Sequence, residues 1–277
     1  MAIPHLTAAD GTTLPAIGLG TYRLTGSEGA VAIGQAIATG YRLIDSAVNY
    51  ENEGAVGRAA RSAQARDELV VTSKLPGRHH RYDEALTTIE ESVFRTGLDQ
   101  IDLYLIHWPN PRVDLYVQAW RALIEARERG LVKHIGLSNF LPEHIDRLVA
   151  ETGVAPVVNQ IEVHPYFPQQ EAIDFHRAHG ILVQAWSPIG RGNDLQQQRT
   201  VVEIAAAHGI SPAQAILAWH VARQVIPLPK AASPQRQDEN LDIFGIKLTD
   251  QEVEAITALG RPDGRLAGQD PATYEEF

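Results

Sequence analysis

The sequence predicts a single closed (β/α)8 barrel, an α/β fold of the TIM-barrel class, on two observations. Eight short β-rich apolar runs alternate with longer segments of helical period between about Ala16 and Glu239. The length of 277 residues also suits eight such repeats, for which about 250 residues is typical. No linker or low-complexity stretch interrupts the chain, so one domain is expected over residues 1–277. An open, doubly wound sheet is the competing architecture.

Ahead of the first run, Asp10-Gly11 lies between short apolar segments and predicts a β-hairpin turn that could plug the bottom of the barrel. The runs themselves are AIGLGTY from Ala16, RLIDSA from Arg42, LVVTSKL from Leu69, IDLYLIHW from Ile101, VKHIGLS from Val132, VVNQIEV from Val157, ILVQAWS from Ile181 and VIPLPK from Val225. Most hold consecutive apolar residues, as strands buried on both faces do. Between them, Leu86, Ile89 and Val93 are spaced 3 and 4 apart, with Gly97 as a C-terminal cap. Val117, Trp120 and Ile124 repeat that spacing, closed by Gly130, while Ser211-Pro212 predicts an N-cap followed by proline at the first helical position. LTDQEVEAITAL from Leu248 predicts an extra C-terminal helix, and the tail from Gly260 to Phe277 is either an ordered flap or a loose end.

Composition narrows the function. Lys+Arg total 24 against 34 Asp+Glu, a formal charge of −10, which weighs against nucleic acid or an anionic membrane surface as a partner. Cysteine is absent, which removes disulfides, thiolate nucleophiles and thiolate metal sites, so redox chemistry needs a cofactor. The start MAIPHLTAADG has no basic n-region or apolar run, and no later stretch approaches the roughly 20 apolar residues of a membrane span. A cytoplasmic protein is expected, and a monomer, since no long apolar stripe stands out. His176 and His179 are three apart, but no further ligand nearby in sequence makes a metal site, and no metal is expected.

In such barrels the active site lies at the C-terminal ends of the strands. Asp45 ends the second run, Tyr50 follows in its loop, Lys74 ends the third and His107 the fourth. A nearby ammonium favours a phenolate and can lower a tyrosine pKa by roughly 1 to 3 units. Asp45 can hold Lys74 charged, and His107 can orient a carbonyl towards Tyr50. That set delivers a proton to an oxygen becoming an alkoxide. Such a carbonyl must also receive hydride on carbon, for which a nicotinamide cofactor is the natural supplier. The dinucleotide fingerprint is nevertheless incomplete: Gly18-Leu-Gly20-Thr-Tyr-Arg23 lacks the third glycine, and no GxxxxGK occurs.

GYRLIDSAVNYENEGAVG from Gly40, LDQIDLYLIHWP from Leu98, GLSNF from Gly136, VVNQIEVHPY from Val157 and IPLPK from Ile226 resemble, in order, the motifs of the aldo-keto reductase family. The resemblance runs from about Pro15 to Leu259 and is greatest to the bacterial 2,5-diketo-D-gluconate reductase-like branch. It implies NADPH-dependent reduction of aldehydes or ketones, possible keto-sugar or diketo compounds among them. Tyr50 would be the general acid in reduction and the base in oxidation, tuned by Lys74 and Asp45, with His107 orienting the carbonyl. Ser138, Asn139 and Gln160 would hydrogen-bond the nicotinamide carboxamide, and Trp186 would stack on its ring. Thr21 would meet the cofactor, and Tyr22, Asn49 and Trp108 the substrate. Ser187, Pro188, Ile189 and Gly190 would run beside the pyrophosphate. Lys230, Ser233 and Arg236 would hold the adenosine 2′-phosphate, while Glu239 and Asn240 address adenine.

Departures from the family pattern carry expectations of their own. Ala231 stands where the pattern has Ser or Thr, which implies one phosphate contact fewer and a narrower preference for NADPH over NADH. Leu75-Pro-Gly-Arg-His-His replaces a stretch that often carries a pocket tryptophan, and the link after Gly190 is short for a lid. The basic run Arg78 to Arg81 reads as a solvated loop or as an attractor of acidic substrates. Two rivals remain at this stage: a barrel lyase forming a Schiff base on Lys74, and an NADP(H)-binding, redox-sensing regulatory subunit with little turnover.

Overall fold

The computed structural model describes residues 3–277. The expected hairpin is present: β1 (His5–Thr7) pairs antiparallel with β2 (Thr13–Pro15), Leu6 opposite Leu14. Its turn is wider than a two-residue connection, with Ala8 N donating to Thr12 O and Thr12 N to Asp10 Oδ1. Gly11 takes a φ of 89° there, a region open to glycine at little cost. Ala8 and Leu14 pack with Leu43, Leu103, Val158 and Ile226 inside the barrel. Thr12 Oγ1 lies 3.1 Å from His134 Nδ1, and Ala9 N donates to Gly180 O, so the hairpin is bonded to the barrel floor.

Eight parallel strands follow in chain order: β3 (Leu19–Gly20), β4 (Leu43–Asp45), β5 (Val70–Leu75), β6 (Ile101–Ile106), β7 (Val132–Ser138), β8 (Val158–Glu162), β9 (Leu182–Trp186) and β10 (Val225–Pro227). Each coincides with one of the eight apolar runs. The last strand meets the first through a parallel Gly20–Lys230 bridge and through Gly18 N and Gly20 N, which donate to Pro227 O and Pro229 O at 3.0 Å. That closure rules out the open sheet. It also assigns the incomplete glycine motif: a Cβ on Gly18 would lie 2.6 Å from Leu228 Cδ2, and one on Gly20 2.8 Å from Leu228 O. These glycines let the seam close.

The helices pack outside the strands. They are α1 (Gly26–Thr39), α2 (Glu53–Arg61), α3 (Tyr82–Thr96), α4 (Tyr116–Glu128), α5 (Pro142–Thr152), α6 (Gln170–Ala178), α7 (Arg199–His208), α8 (Pro212–Ala222), α9 (Pro234–Leu241) and α10 (Asp250–Thr257). Gly97 caps α3 at a φ of 61°, and a Ser211–Gln214 capping box opens α8. The predicted extra helix is α10, opened by a Thr249–Glu252 capping box. Its tail is an ordered flap across the barrel mouth, where the Tyr274 ring sits 4.5 Å from that of Trp108. Among the described residues no single helix is long and apolar enough to cross a membrane.

Candidate active site

Strand register brings the predicted residues to one mouth. Gly20 pairs with Asp45, Asp45 with Thr72, Lys74 with Leu105, and His107 follows directly after β6. Lys74 is fully buried, and its three ammonium hydrogens have three acceptors: Asp45 Oδ1 at 2.7 Å, Asp45 Oδ2 at 2.8 Å and Ser46 O at 2.7 Å. Gln160 Nε2 reaches across the barrel to the same Asp45 Oδ1 at 2.8 Å and to Gln184 Oε1 at 2.9 Å. A polar layer of Asp45, Lys74, Gln160 and Gln184 thus roofs the apolar interior. Such a buried pair holds only because its hydrogen bonds are satisfied.

Tyr50 stands above this layer on the short 3-10 turn Val48–Tyr50, with the Lys74 ammonium 5.0 Å from its ring centroid. The rings of Tyr22 and His107 meet it edge-on at 5.2 and 6.0 Å. One expectation is reversed here. Burial pushes the Tyr50 phenol well above its usual pKa, and the carboxylates of Asp45 and Glu276 push the same way, against Arg191. The ammonium that was to favour the phenolate is neutralised by both oxygens of Asp45 and faces the ring. Lys74 itself is lowered, because desolvation outweighs the attraction of Asp45.

A cleft of about 720 Å³ opens over these groups and continues to Lys230. Thr21, Tyr22, Asn49, Trp108, Ser138, Asn139, Gln160, Trp186, Ser187, Pro188 and Ile189 all line it, as expected. Several are engaged with one another. Ser138 Oγ donates to Gln160 O, Asn139 Nδ2 to His107 O, and Trp186 Nε1 to Asn139 Oδ1 at 2.8 Å. Among the described residues Gln160 Oε1 has no hydrogen-bond partner, which leaves an acceptor for an amide. Asn49, expected against substrate, instead has Nδ2 on Glu276 Oε1 and Oδ1 on Arg78.

The far end differs more. Gly190, Ala231, Ser233, Arg236, Glu239 and Asn240 lie outside the cleft lining, and of the expected phosphate group only Lys230 reaches it. Asn240 is buried beside Tyr41 rather than open to an adenine. Ala231 packs in the apolar cluster with Ile17, Ile33 and Ile37, so the position expected to lack a hydroxyl contact is covered. Arg236 is exposed on α9, whose Ser233 cap makes no side-chain hydrogen bond and leaves first-turn N–H donors free for an anion.

Other residues were missed. Arg191, Gln269, Tyr274 and Glu276 also line the cleft. Glu276 Oε1 lies 2.8 Å from His107 Nδ1. A lone acid in a polar tail has no periodicity to place it. The basic run is not uniformly solvated either: His80 is buried, and burial lowers its pKa to about 4, whereas Arg78 is exposed. His176 is structural, bonded to Asn159 and to Ala172 O.

Fit to a dinucleotide follows from these donors and acceptors: an aromatic and an unpartnered amide acceptor at the inner end, and a cation with open helix donors at the outer end. The comparisons agree. The Aldo/keto reductase family model matches residues 16–261. The 2,5-diketo-D-gluconic acid reductase B of a Corynebacterium species is 50% identical over 276 residues, 99% of each chain. Methylglyoxal reductase DkgA of Escherichia coli is 40% identical over 268 residues, 96% of each chain. A mutant of Gox0644 in complex with NADPH superposes with a TM-score of 0.94 at 40% identity, covering 99% of this chain and 100% of that one. A Bombyx mori aldo-keto reductase in complex with NADP gives 0.87 at 36% identity, 94% of each chain. The barrel, its mouth and these relatives together show that the chain belongs to the aldo/keto reductase family.

Proposed function

We propose that the NADPH-dependent reduction of aldehydes or ketones to alcohols performed by this chain runs through Tyr50, supported by Asp45, Lys74 and His107. The observation that carries this reading is the buried Asp45–Lys74 pair directly beneath Tyr50 at the head of the cleft. The residues Gln160, Ser138, Asn139 and Trp186 would hold the nicotinamide end, and the nicotinamide would supply the hydride. The loop Ser187 to Gly190 follows the pyrophosphate, and Lys230, Ser233 and Arg236 meet the 2′-phosphate. Glu239 and Asn240 flank adenine once Asn240 turns outward.

A raised Tyr50 pKa keeps the phenol protonated across the neutral range. It is therefore loaded as an acid, and the alkoxide forming on the carbonyl carbon's oxygen is basic enough to take the proton. The Arg191 cation across the cleft offsets part of the cost of the phenolate left behind. Oxidation would start from that phenolate and is disfavoured at neutral pH. His107 orients the carbonyl oxygen, and Tyr22 and Trp108 form the aromatic walls against the substrate. Keto-sugar or diketo compounds fit this polar, aromatic-walled mouth, in line with the name of the 2,5-diketo-D-gluconic acid reductase B relative.

Lys74 is poorly placed for a Schiff base, since its nitrogen is inaccessible and all three hydrogens are bonded. The exposed large apolar side chains Tyr22, Val31, Phe94, Val113, Val149, Val202 and Phe277 are scattered over different elements, which favours a monomer built as one barrel domain. A supply of reduced nicotinamide favours the cytoplasm. Tyr50→Phe tests the central claim. Turnover should fall by about 10²–10⁴-fold, the range of a lost general acid, with the Kd for NADPH within a few-fold of wild type. Ordinary turnover in that variant would remove the mechanism.

A further inference from the structure

Glu276 is the penultimate residue, yet it is as enclosed as the core. Asn110 clasps its backbone: Glu276 N donates to Asn110 Oδ1 at 3.0 Å, and Asn110 Nδ2 donates to Glu276 O at 2.8 Å. The side chain then receives Gly77 N on Oε2 and Asn49 Nδ2 on Oε1, both at 2.8 Å. A Cβ on Gly77 would come within 2.5 Å of Glu276 O, so the approach needs a glycine. His107 Nδ1 lies 2.8 Å from Oε1, a contact that falls outside hydrogen-bond geometry in direction but is too short for a bare ring nitrogen to face a carboxylate oxygen.

The donors decide where the protons are. Gly77 N–H and the Asn49 amide already point at the two carboxylate oxygens, which suits an ionised group that only accepts. Burial raises the Glu276 carboxyl, but the charge and hydrogen bond of His107, with those of Gly77 and Asn49, outweigh it and hold the group below the usual carboxylate range. The hydrogen between Oε1 and Nδ1 therefore belongs to the imidazole. A neutral imidazole with hydrogen on Nδ1 offers only a lone pair at Nε2. It cannot donate to a carbonyl oxygen unless Nε2 is protonated as well.

We propose that Glu276 is a positioning residue for His107, holding hydrogen on Nδ1, so that His107 donates from Nε2 to the carbonyl oxygen when the ring carries a second hydrogen. The C-terminal tail is thus part of the proton inventory of the site. This rests on the assignment of His107 to the carbonyl made above. The other charged and titratable groups around the pair are Tyr50 and the Asp45–Lys74 pair beneath it, Tyr22 and Arg191 across the cleft, and Arg78 and His80 from the Gly77 turn. Asp45 and Lys74 compensate each other, and His80 is neutral at pH 7, which leaves Glu276 as the ionised group in direct contact with the ring.

The test reads the ring directly. In the full-length, 15N-histidine-labelled protein, with His107→Gln used to assign the signals, the neutral His107 ring should carry hydrogen on Nδ1. A neutral ring protonated on Nε2 in the wild type would overturn the proposal, whatever any variant does. In Glu276→Gln the backbone clasp by Asn110 is untouched. Gly77 N–H retains the amide oxygen, so the amide NH2 faces Nδ1 and the neutral ring should switch to hydrogen on Nε2. Loss of a charge-assisted bond to the carbonyl should then lower kcat roughly fivefold near neutral pH, with the KM for NADPH unchanged. An unchanged nitrogen spectrum and unchanged kcat in the variant would also overturn it. If carbonyl reduction itself were wrongly assigned, both forms would lack turnover while the nitrogen signals still reported the tautomer.

Discussion

Both ends of the barrel are closed by a chain terminus, and they are closed in opposite ways. At the floor the N-terminal hairpin inserts Ala8 and Leu14 among Leu43, Leu103, Val158 and Ile226. At the mouth the C-terminal tail brings a carboxylate against His107 and lays Tyr274 on Trp108. The plug inside the floor is apolar, with its hydrogen bonds to His134 and Gly180 at the rim, while the mouth holds buried ionisable groups in named hydrogen bonds. The contrast teaches that burial serves stability where the side chains are apolar and tunes chemistry where they titrate.

The largest expected breach of that division is Lys74→Met. Removing the ammonium leaves Asp45 buried without its counter-charge, which costs about 3–5 kcal/mol, and carbonyl turnover should be lost with it. Denaturant melts alongside NADPH oxidation check both effects in one variant. A stable but inactive Lys74→Met would show that the mouth can be changed without touching the fold. Leu14→Ala should behave in the opposite way, losing about 2–5 kcal/mol of stability through a cavity at the floor. Its kcat, measured well below the lowered Tm, should stay within twofold of wild type. A large fall in kcat would mean that floor packing reaches the site.

The smallest effect is graded by pH. Burial lowers the pKa of His80 to about 4 and of His220 to about 3, and Glu276 is held below its usual range. The unfolded chain therefore binds more protons than the folded one as pH falls below about 6.5, first through the histidines and then through Glu276. Stability should fall with acidification at up to about 1.4 kcal/mol per pH unit for each such group. His220 Nε2 lies 3.0 Å from Pro188 O in the cleft wall. Burial also lowers His134 at the floor, but that ring is only half-buried, so acid should loosen the mouth more than the floor, as hydrogen exchange at pH 7 and pH 5 would show. Equal loss of protection at both ends would erase the comparison.

Most of the barrel was legible because each strand is a local object. A run such as IDLYLI has apolar residues in sequence, is flanked by helical period, and ends where a polar residue emerges at the mouth. The site residues Asp45, Lys74 and His107 were visible for the same reason, since strand ends map onto one face of a barrel. Tyr50 required the loop after β4 as well. What the sequence misread were quantities that depend on the third dimension. Gly18 and Gly20 look like a failed dinucleotide motif in one dimension and are the seam in three. Asn49 lines the cleft as expected, but its bonds to Glu276 and Arg78 could not be read from the sequence.

Local pattern alone was enough for the eight strands, the hairpin, the caps at Gly97 and Ser211, and the grouping of four polar residues at the mouth, because periodicity and capping act over a few neighbouring residues. The tertiary structure alone decided the direction of the Tyr50 pKa, the seam at Gly18 and Gly20, and the seat of Glu276 beside His107. These depend on desolvation and on charges brought together from positions as far apart in the chain as 107 and 276. Coulomb interaction and burial follow distance in space, which no short window of sequence contains.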